Sequence, residues 1–159
     1  MSITTPTISA QRLNVALAAL RVVTGAVFMA HGAQKLFVYG FGGVSGAFAQ
    51  MGIPMPGLMG PFIALLEFFG GLALIFGLLT RLAALGLTFN MLGAILLVHL
   101  KGGFFLPSGI EFALSLLGPS LALALTGAGA YSLDGVIASR RQGTAAAGTQ
   151  QRDVARQAA

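Results

Sequence analysis

A chain of 159 residues in which 56% are hydrophobic and only 8% charged, with a mean hydropathy of +0.87, carries more apolar surface than a soluble domain of that size can bury. Nine Lys and Arg against four Asp and Glu give a net charge of +5, which in a soluble domain would point to nucleic acid. Here Arg140, Arg141, Arg152 and Arg156 follow a hydrophobic segment, so anionic lipid headgroups are the expected partner and nucleic acid is not. With no cysteine, disulfides, thiol relays and Cys-ligated metals are excluded, leaving any redox role to an organic cofactor, a His-ligated metal or a partner chain.

Residues 1–12 read as a short N-terminal segment on the cytoplasmic side. The first apolar block, about 13–36, is broken only by Arg21 and by a polar patch of His31, Gln34 and Lys35. It is long enough to cross roughly 30 Å of hydrocarbon and too long for the core of a signal peptide. A Gly- and Pro-rich loop follows at 37–57, with Val44, Ala47, Phe48 and Met51 at helical spacing, which predicts a short interfacial helix. Further spans are expected at about 58–79, 82–100 and 110–126. After them the composition shifts to Ser, Arg, Gln, Gly, Thr and Ala, and 138–159 reads as a disordered basic tail. Arg12, Arg81 and the C-terminal arginines lie on one side of this scheme and only Lys35 and Lys101 on the other, so the positive-inside rule places both termini in the cytoplasm. The expected fold is all-α, a polytopic four-transmembrane-helix bundle with one membrane domain at 13–137.

Charged and polar side chains inside the spans must face the bundle and find partners, because a lone charge at mid-bilayer depth costs about 2.5–3.5 kcal/mol on insertion scales. Arg21, Glu67 and Asn90 are the deep ones, and the sequence suggests an ion pair between Arg21 and Glu67. Arg21, Gly25, Gly32 and Lys35 share a stripe of span one; Gly60, Ala64, Glu67 and Gly71 share one of span two; Gly86, Asn90 and Gly93 share one of span three. Small residues beside a polar one let helices approach closely. Toward the outer face His31, Lys35, His99, Lys101 and Glu111 converge and could line a cavity above Glu67, or could reach into the headgroups instead. Each hairpin leaves through His and Lys into a Phe- and Gly-rich loop and returns through a helix containing Glu, a faint twofold repeat.

The pattern Arg21-x3-Gly25-x2-Phe28-x2-His31-Gly32-x2-Lys35-Leu36, then Met51-Gly52-Ile53-Pro54, then Glu67-x2-Gly70-Gly71-Leu72-x-Leu74-x2-Gly77-Leu78-x-Thr80-Arg81, then Gly127-x-Gly129-x2-Ser132-Leu133-Asp134 resembles the DoxX family of four-helix bacterial inner-membrane proteins. The resemblance runs from about Leu20 to Asp134. It implies a DoxX- or DoxD-like subunit of the inner membrane, some of whose relatives act in thiosulfate:quinone oxidoreductases or associate with redox and oxidative-stress proteins. The family supplies no agreed catalytic residues.

The leading expectation is a redox-linked subunit of a quinone-linked membrane oxidoreductase, holding a quinone-like or other small lipophilic ligand in the outer half of the bundle. Arg21, His31, Lys35, Glu67, Asn90, His99 and Glu111 are the candidate ligand-binding residues, with Glu67 the candidate proton carrier and no metal site assigned. Haem held by His31 and His99 is disfavoured, since two isolated histidines more often serve as interface hydrogen-bonders. A non-catalytic membrane anchor for a peripheral enzyme is the alternative, and a small-molecule permease acting as a dimer the third reading. The expected partners are membrane lipid and either a second copy of the chain or a redox protein.

Overall fold

A computed structural model describes residues 9–141, and among these the chain is helical with no strand. Helix α1, Ala10–Ala33, is started by Ser9, whose hydroxyl accepts from the Arg12 amide at 3.4 Å, and runs on through a π-helical stretch, Gln34–Tyr39. Gly40 adopts φ +66° and ψ 169°, a conformation in which a Cβ is strained, and there the chain breaks away into α2, Gly40–Gln50. Pro56 opens α3, Pro56–Phe76, at a position where the missing amide is harmless, and Gly77 at φ +65° ends it. Then come α4, Thr80–Ala94, a second π-helical stretch, Ile95–His99, and a single 3-10 turn, Leu100–Gly102. Helix α5, Glu111–Thr126, has 16 residues, which at the helical rise is about 24 Å.

Three helical stretches, Ala10–Gln50, Pro56–Phe76 and Thr80–Gly102, are long and apolar enough to cross a membrane, and α5 is a shorter apolar helix. Helix α1 packs on α3, α4 on α5, and the α3–α4 and α1–α5 contacts close the ring, with α2 laid against α3. Phe28, Leu74, Leu87 and Leu123 lie at its centre. Large apolar side chains such as Val23, Phe69, Phe89 and Leu125 point outward, the reverse of a soluble surface and the arrangement lipid requires.

The α1–α3 interface is a backbone contact. A Cβ on Gly32 would stand 2.3 Å from the Phe68 amide nitrogen, one on Gly25 2.6 Å from the Gly71 carbonyl oxygen, and one on Gly71 2.4 Å from the Met29 amide nitrogen. Facing residues, Gly25 with Ile75, Met29 with Gly71 and Gly32 with Phe68, step in opposite directions at equal rates. Extending that register sets Glu67 level with Ala33, so Arg21 lies twelve residues lower, about 18 Å away along the axis. The ion pair expected between Arg21 and Glu67 therefore does not form. A guanidinium cannot span that gap.

Arg21 closes the other end of the bundle. Its Nη1 donates to the carbonyls of Leu74, at 3.1 Å, and Ile75, and its Nη2 to that of Tyr131. Two of these carbonyls belong to the last turn of α3, where the helix dipole favours a cation; that of Leu74 also accepts from the Gly77 amide at 3.1 Å. Asp134 does the converse, its Oδ1 accepting from the Leu79 amide at 2.8 Å and Oδ2 from the Thr80 amide at 2.9 Å, at the start of α4 where an anion is favoured. The Asp134 amide donates to the Gly77 carbonyl at 2.9 Å, and Asn14 Oδ1 accepts from the Ala130 amide at 2.9 Å. So the start of α1, the α3–α4 turn and the segment after α5 share one end, called here the turn end. The opposite one is the loop end.

Residues 133–141 are helical and are numbered α6. The basic tail expected from 138 onward is thus corrected at its start: 138–141 continue a helix whose first turn is fixed by Asp134, and 142–159 lie outside the described residues.

Gly71→Ala forces a side chain into the α1 backbone and is expected to cost about 1–3 kcal/mol, seen as a lower unfolding temperature in mild detergent. Gly93→Ala, whose Cβ would meet nothing within 4 Å, should instead leave stability unchanged or raise it by up to about 1 kcal/mol.

Candidate functional site

Glu67 sits in the middle of α3 and is only 4% exposed. One carboxylate oxygen, Oε2, forms a short ion pair with Lys35 Nζ. The other, Oε1, accepts from Asn90 Nδ2 at 3.0 Å. Three helical elements thus meet on one carboxylate: α3 carries the charge, the π-helical stretch after α1 the counter-charge, and α4 an amide donor. Deep in a bilayer a carboxylate is tolerable only when paired and hydrogen-bonded, and both conditions hold.

Two cavities flank this group. The larger, about 560 Å³, lies between α2, α3 and α4. Its walls are apolar, with Phe48 and Met51 from α2, Phe62 and Leu66 from α3, and Phe89 and Leu97 from α4 and its π-helical extension. Lys35, Glu67, Asn90 and His99 supply its polar groups. Gly93 lines it with no atom within 4 Å of where its Cβ would be, so the missing side chain is part of the space. The smaller cavity, about 210 Å³, lies between α1, α4 and α5 and is lined by His31, Phe28, Phe112 and Leu116. Lys35, Glu67, Met91, Ala94 and His99 line both.

Both histidines are at the loop end. The His31 ring lies 5.4 Å from that of Phe112, tilted by 58°, and the residue is exposed. His99 Nδ1 is 3.1 Å from the Ser108 carbonyl oxygen. A carbonyl can only accept, so Nδ1 carries the proton in this contact and Nε2 is the basic nitrogen of a neutral ring.

Of the seven residues singled out in the sequence, five, His31, Lys35, Glu67, Asn90 and His99, surround these two cavities. Arg21 is at the turn end. Glu111 is in the first turn of α5, where its Oε1 accepts from the Leu106 amide at 2.8 Å and its own amide donates to the Phe104 carbonyl; it shapes the loop before α5 and lines neither cavity. Sequence reasoning missed Phe48 and Met51 as cavity walls and Asp134 as the cap of α4. Asp134 stood in the quoted Ser-Leu-Asp motif, which was the signal available for it. The two hairpin exits are alike in detail: each is π-helical and each ends on a positive-φ glycine, Gly40 and Gly103. Their returning glutamates differ, Glu67 being deep in α3 and Glu111 at the mouth of α5.

Apolar spanning helices around a paired, buried carboxylate define a polytopic membrane helical bundle. The chain belongs to the DoxX family, whose family model matches residues 16–100, a stretch holding all five residues around the cavities and ending before the Asp134 cap. It is 39% identical over 116 residues, 72% of this chain and 81% of the relative, to the Bacillus subtilis (strain 168) protein named "Putative oxidoreductase CatD". It is 36% identical over 122 residues, 76% of this chain and 91% of the relative, to inner membrane protein YqjF of Escherichia coli (strain K12). A membrane protein of Mycobacterium tuberculosis (strain ATCC 25618 / H37Rv), Rv3486, is 33% identical over 132 residues, 76% of this chain and 80% of the relative. No solved structure matches the chain. These relatives and the apolar helices make this a bacterial membrane protein.

Double-mutant cycles separate the two polar centres. Lys35→Met and Glu67→Gln should couple by about 1–3 kcal/mol, the double variant being more stable than the sum of the single losses requires, because each alone strands a buried charge. Arg21→Gln and Glu67→Gln should add to within about 0.5 kcal/mol, as distant sites do. Unfolding in detergent reads both, and coupling between Arg21 and Glu67 would refute the register above.

Proposed function

We propose that this protein is a redox-linked subunit of the bacterial inner membrane that holds a quinone-like or similarly small lipophilic ligand in the larger cavity. The observation that carries the reading is the cavity: about 560 Å³ is within the range of small-molecule sites, which are mostly apolar with a few placed polar groups. Phe48, Phe62 and Phe89 suit a flat ring and an apolar tail. Lys35 and Asn90 keep N–H groups beyond those spent on Glu67 to offer a carbonyl oxygen, His99 Nε2 can accept from a ligand hydroxyl, and Glu67 is placed to give or take a proton. The redox assignment is supported by the relative with oxidoreductase in its name; with no cysteine in the chain, a bound organic cofactor is the simplest carrier for it. The positive-inside pattern puts the loop end, and with it the cavity, toward the outside of that membrane.

Protein purified in mild detergent should carry a lipophilic molecule with a reducible ring, detected by absorbance and by mass spectrometry of the extract. Glu67→Gln and His99→Ala should weaken its retention, and Gly93→Leu, whose Cβ meets no atom within 4 Å and whose branch takes up cavity space, should abolish it while the bundle stays folded. An empty wild-type bundle, or undiminished retention in Gly93→Leu, would sink the proposal and move the weight to a non-catalytic anchor for a peripheral enzyme.

A further inference from the structure

The smaller cavity needs its own explanation. It shares Lys35, Glu67, Met91, Ala94 and His99 with the ligand cavity but is lined differently beyond them, by the imidazole of His31 and the ring of Phe112. Its mouth is at the loop end, because His31 is exposed there and Phe112 is the second residue of α5. Toward the turn end it is closed. Below Glu67 come Phe28, 1% exposed, and Leu74, Leu87 and Leu123, each 0%, and two buried hydroxyls near that layer are spent on their own helices, Thr88 donating to the Ala84 carbonyl at 2.7 Å and Ser120 to the Leu116 carbonyl at 2.8 Å. A chain of water or side chains that could carry a proton has no footing there.

We propose that the small cavity is an aqueous inlet from the loop end alone, and that through it Glu67 exchanges protons for the ligand cavity. The groups facing Glu67 are Lys35 from the stretch after α1, with His31 beyond it, and Asn90 and His99 from the α4 side, while α5 contributes Phe112, Ala113 and Leu116 and no titratable group. The step is a proton transfer and nothing else: the Glu67 carboxylate takes one proton from water by way of His31 or His99, passes it to a basic oxygen of the bound ligand, and returns to the carboxylate. Lys35 holds that side chain in place between the two cavities. The use of the inlet for a ligand rests on the reading above; the inlet itself does not.

The natural absence of cysteine makes the test direct. Single-cysteine variants of the full chain in membrane vesicles are treated with a small, cationic, membrane-impermeant thiosulfonate from one face at a time. Gln50→Cys marks the loop end and Arg12→Cys the turn end, both positions being exposed. Ala113→Cys, on a wall of the small cavity alone, should label from the face that labels Gln50→Cys and at least tenfold more slowly, or not at all, from the face that labels Arg12→Cys. Ser120→Cys should label from neither. Leu116→Cys, also confined to the small cavity, gives the same reading if Ala113→Cys does not fold. Labelling of the wall positions from the Arg12 face, or from neither face, overturns the inlet. A bundle that purifies empty yet labels from the loop end alone would discard the ligand reading and leave the inlet standing.

Discussion

The contact between the α1 and α3 backbones governs the rest of this molecule. Gly25, Gly32 and Gly71 permit an approach that no side chain would tolerate, and in a bilayer, where burying apolar surface gives little advantage over leaving it in lipid, such close packing is what drives helices together. Once the two backbones are locked, their register has no freedom. Lys35 falls within reach of Glu67, and Arg21 falls at the end of α3, where main-chain carbonyls hold it. The polar chemistry at both ends is thus a consequence of an apolar fit between them.

Charge is handled differently at the two ends. At the turn end neither Arg21 nor Asp134 is neutralised by the other through a direct contact; each is held by peptide groups, most of them at a helix terminus. The guanidinium takes three carbonyls and the carboxylate two amides, so both sides of the tight turn between α3 and α4 are tied down by charge. At the loop end the charges do meet, Lys35 on Glu67, next to open space. One end is built as a fastening and the other as a site.

The spans, their number and the small-residue stripes were legible in the sequence because length, hydropathy and spacing are local properties. So was the gathering of His31, Lys35, Glu67, Asn90 and His99, which share the loop-end half of three helices. The partner of Arg21 was not legible. Its acceptors are the carbonyls of Leu74, Ile75 and Tyr131, groups that every residue has, and the side-chain alphabet gives no sign that these three lie within its reach. Estimating depth from the ends of hydrophobic blocks also placed Arg21 too near Glu67, since the blocks do not show where the helices cross. The larger cavity was hidden for a related reason: α2 folds back from Gly40 onto α3, and Phe48 and Met51 read simply as the apolar side of a loop helix until that reversal is seen.

The brevity of α5 reaches beyond the protein. At about 24 Å it is some 6 Å shorter than a typical hydrocarbon core of about 30 Å, whereas the stretches Ala10–Gln50, Pro56–Phe76 and Thr80–Gly102 are long enough to cross it. Along the α5 flank a local thinning of the bilayer would suit the shorter span. Each ångström of such mismatch costs a fraction of a kcal/mol. The bundle therefore carries a built-in asymmetry in the bilayer around it, with one thinned side that gives a preferred heading to whatever collects there, whether short-chain lipid or another protein with an equally short span.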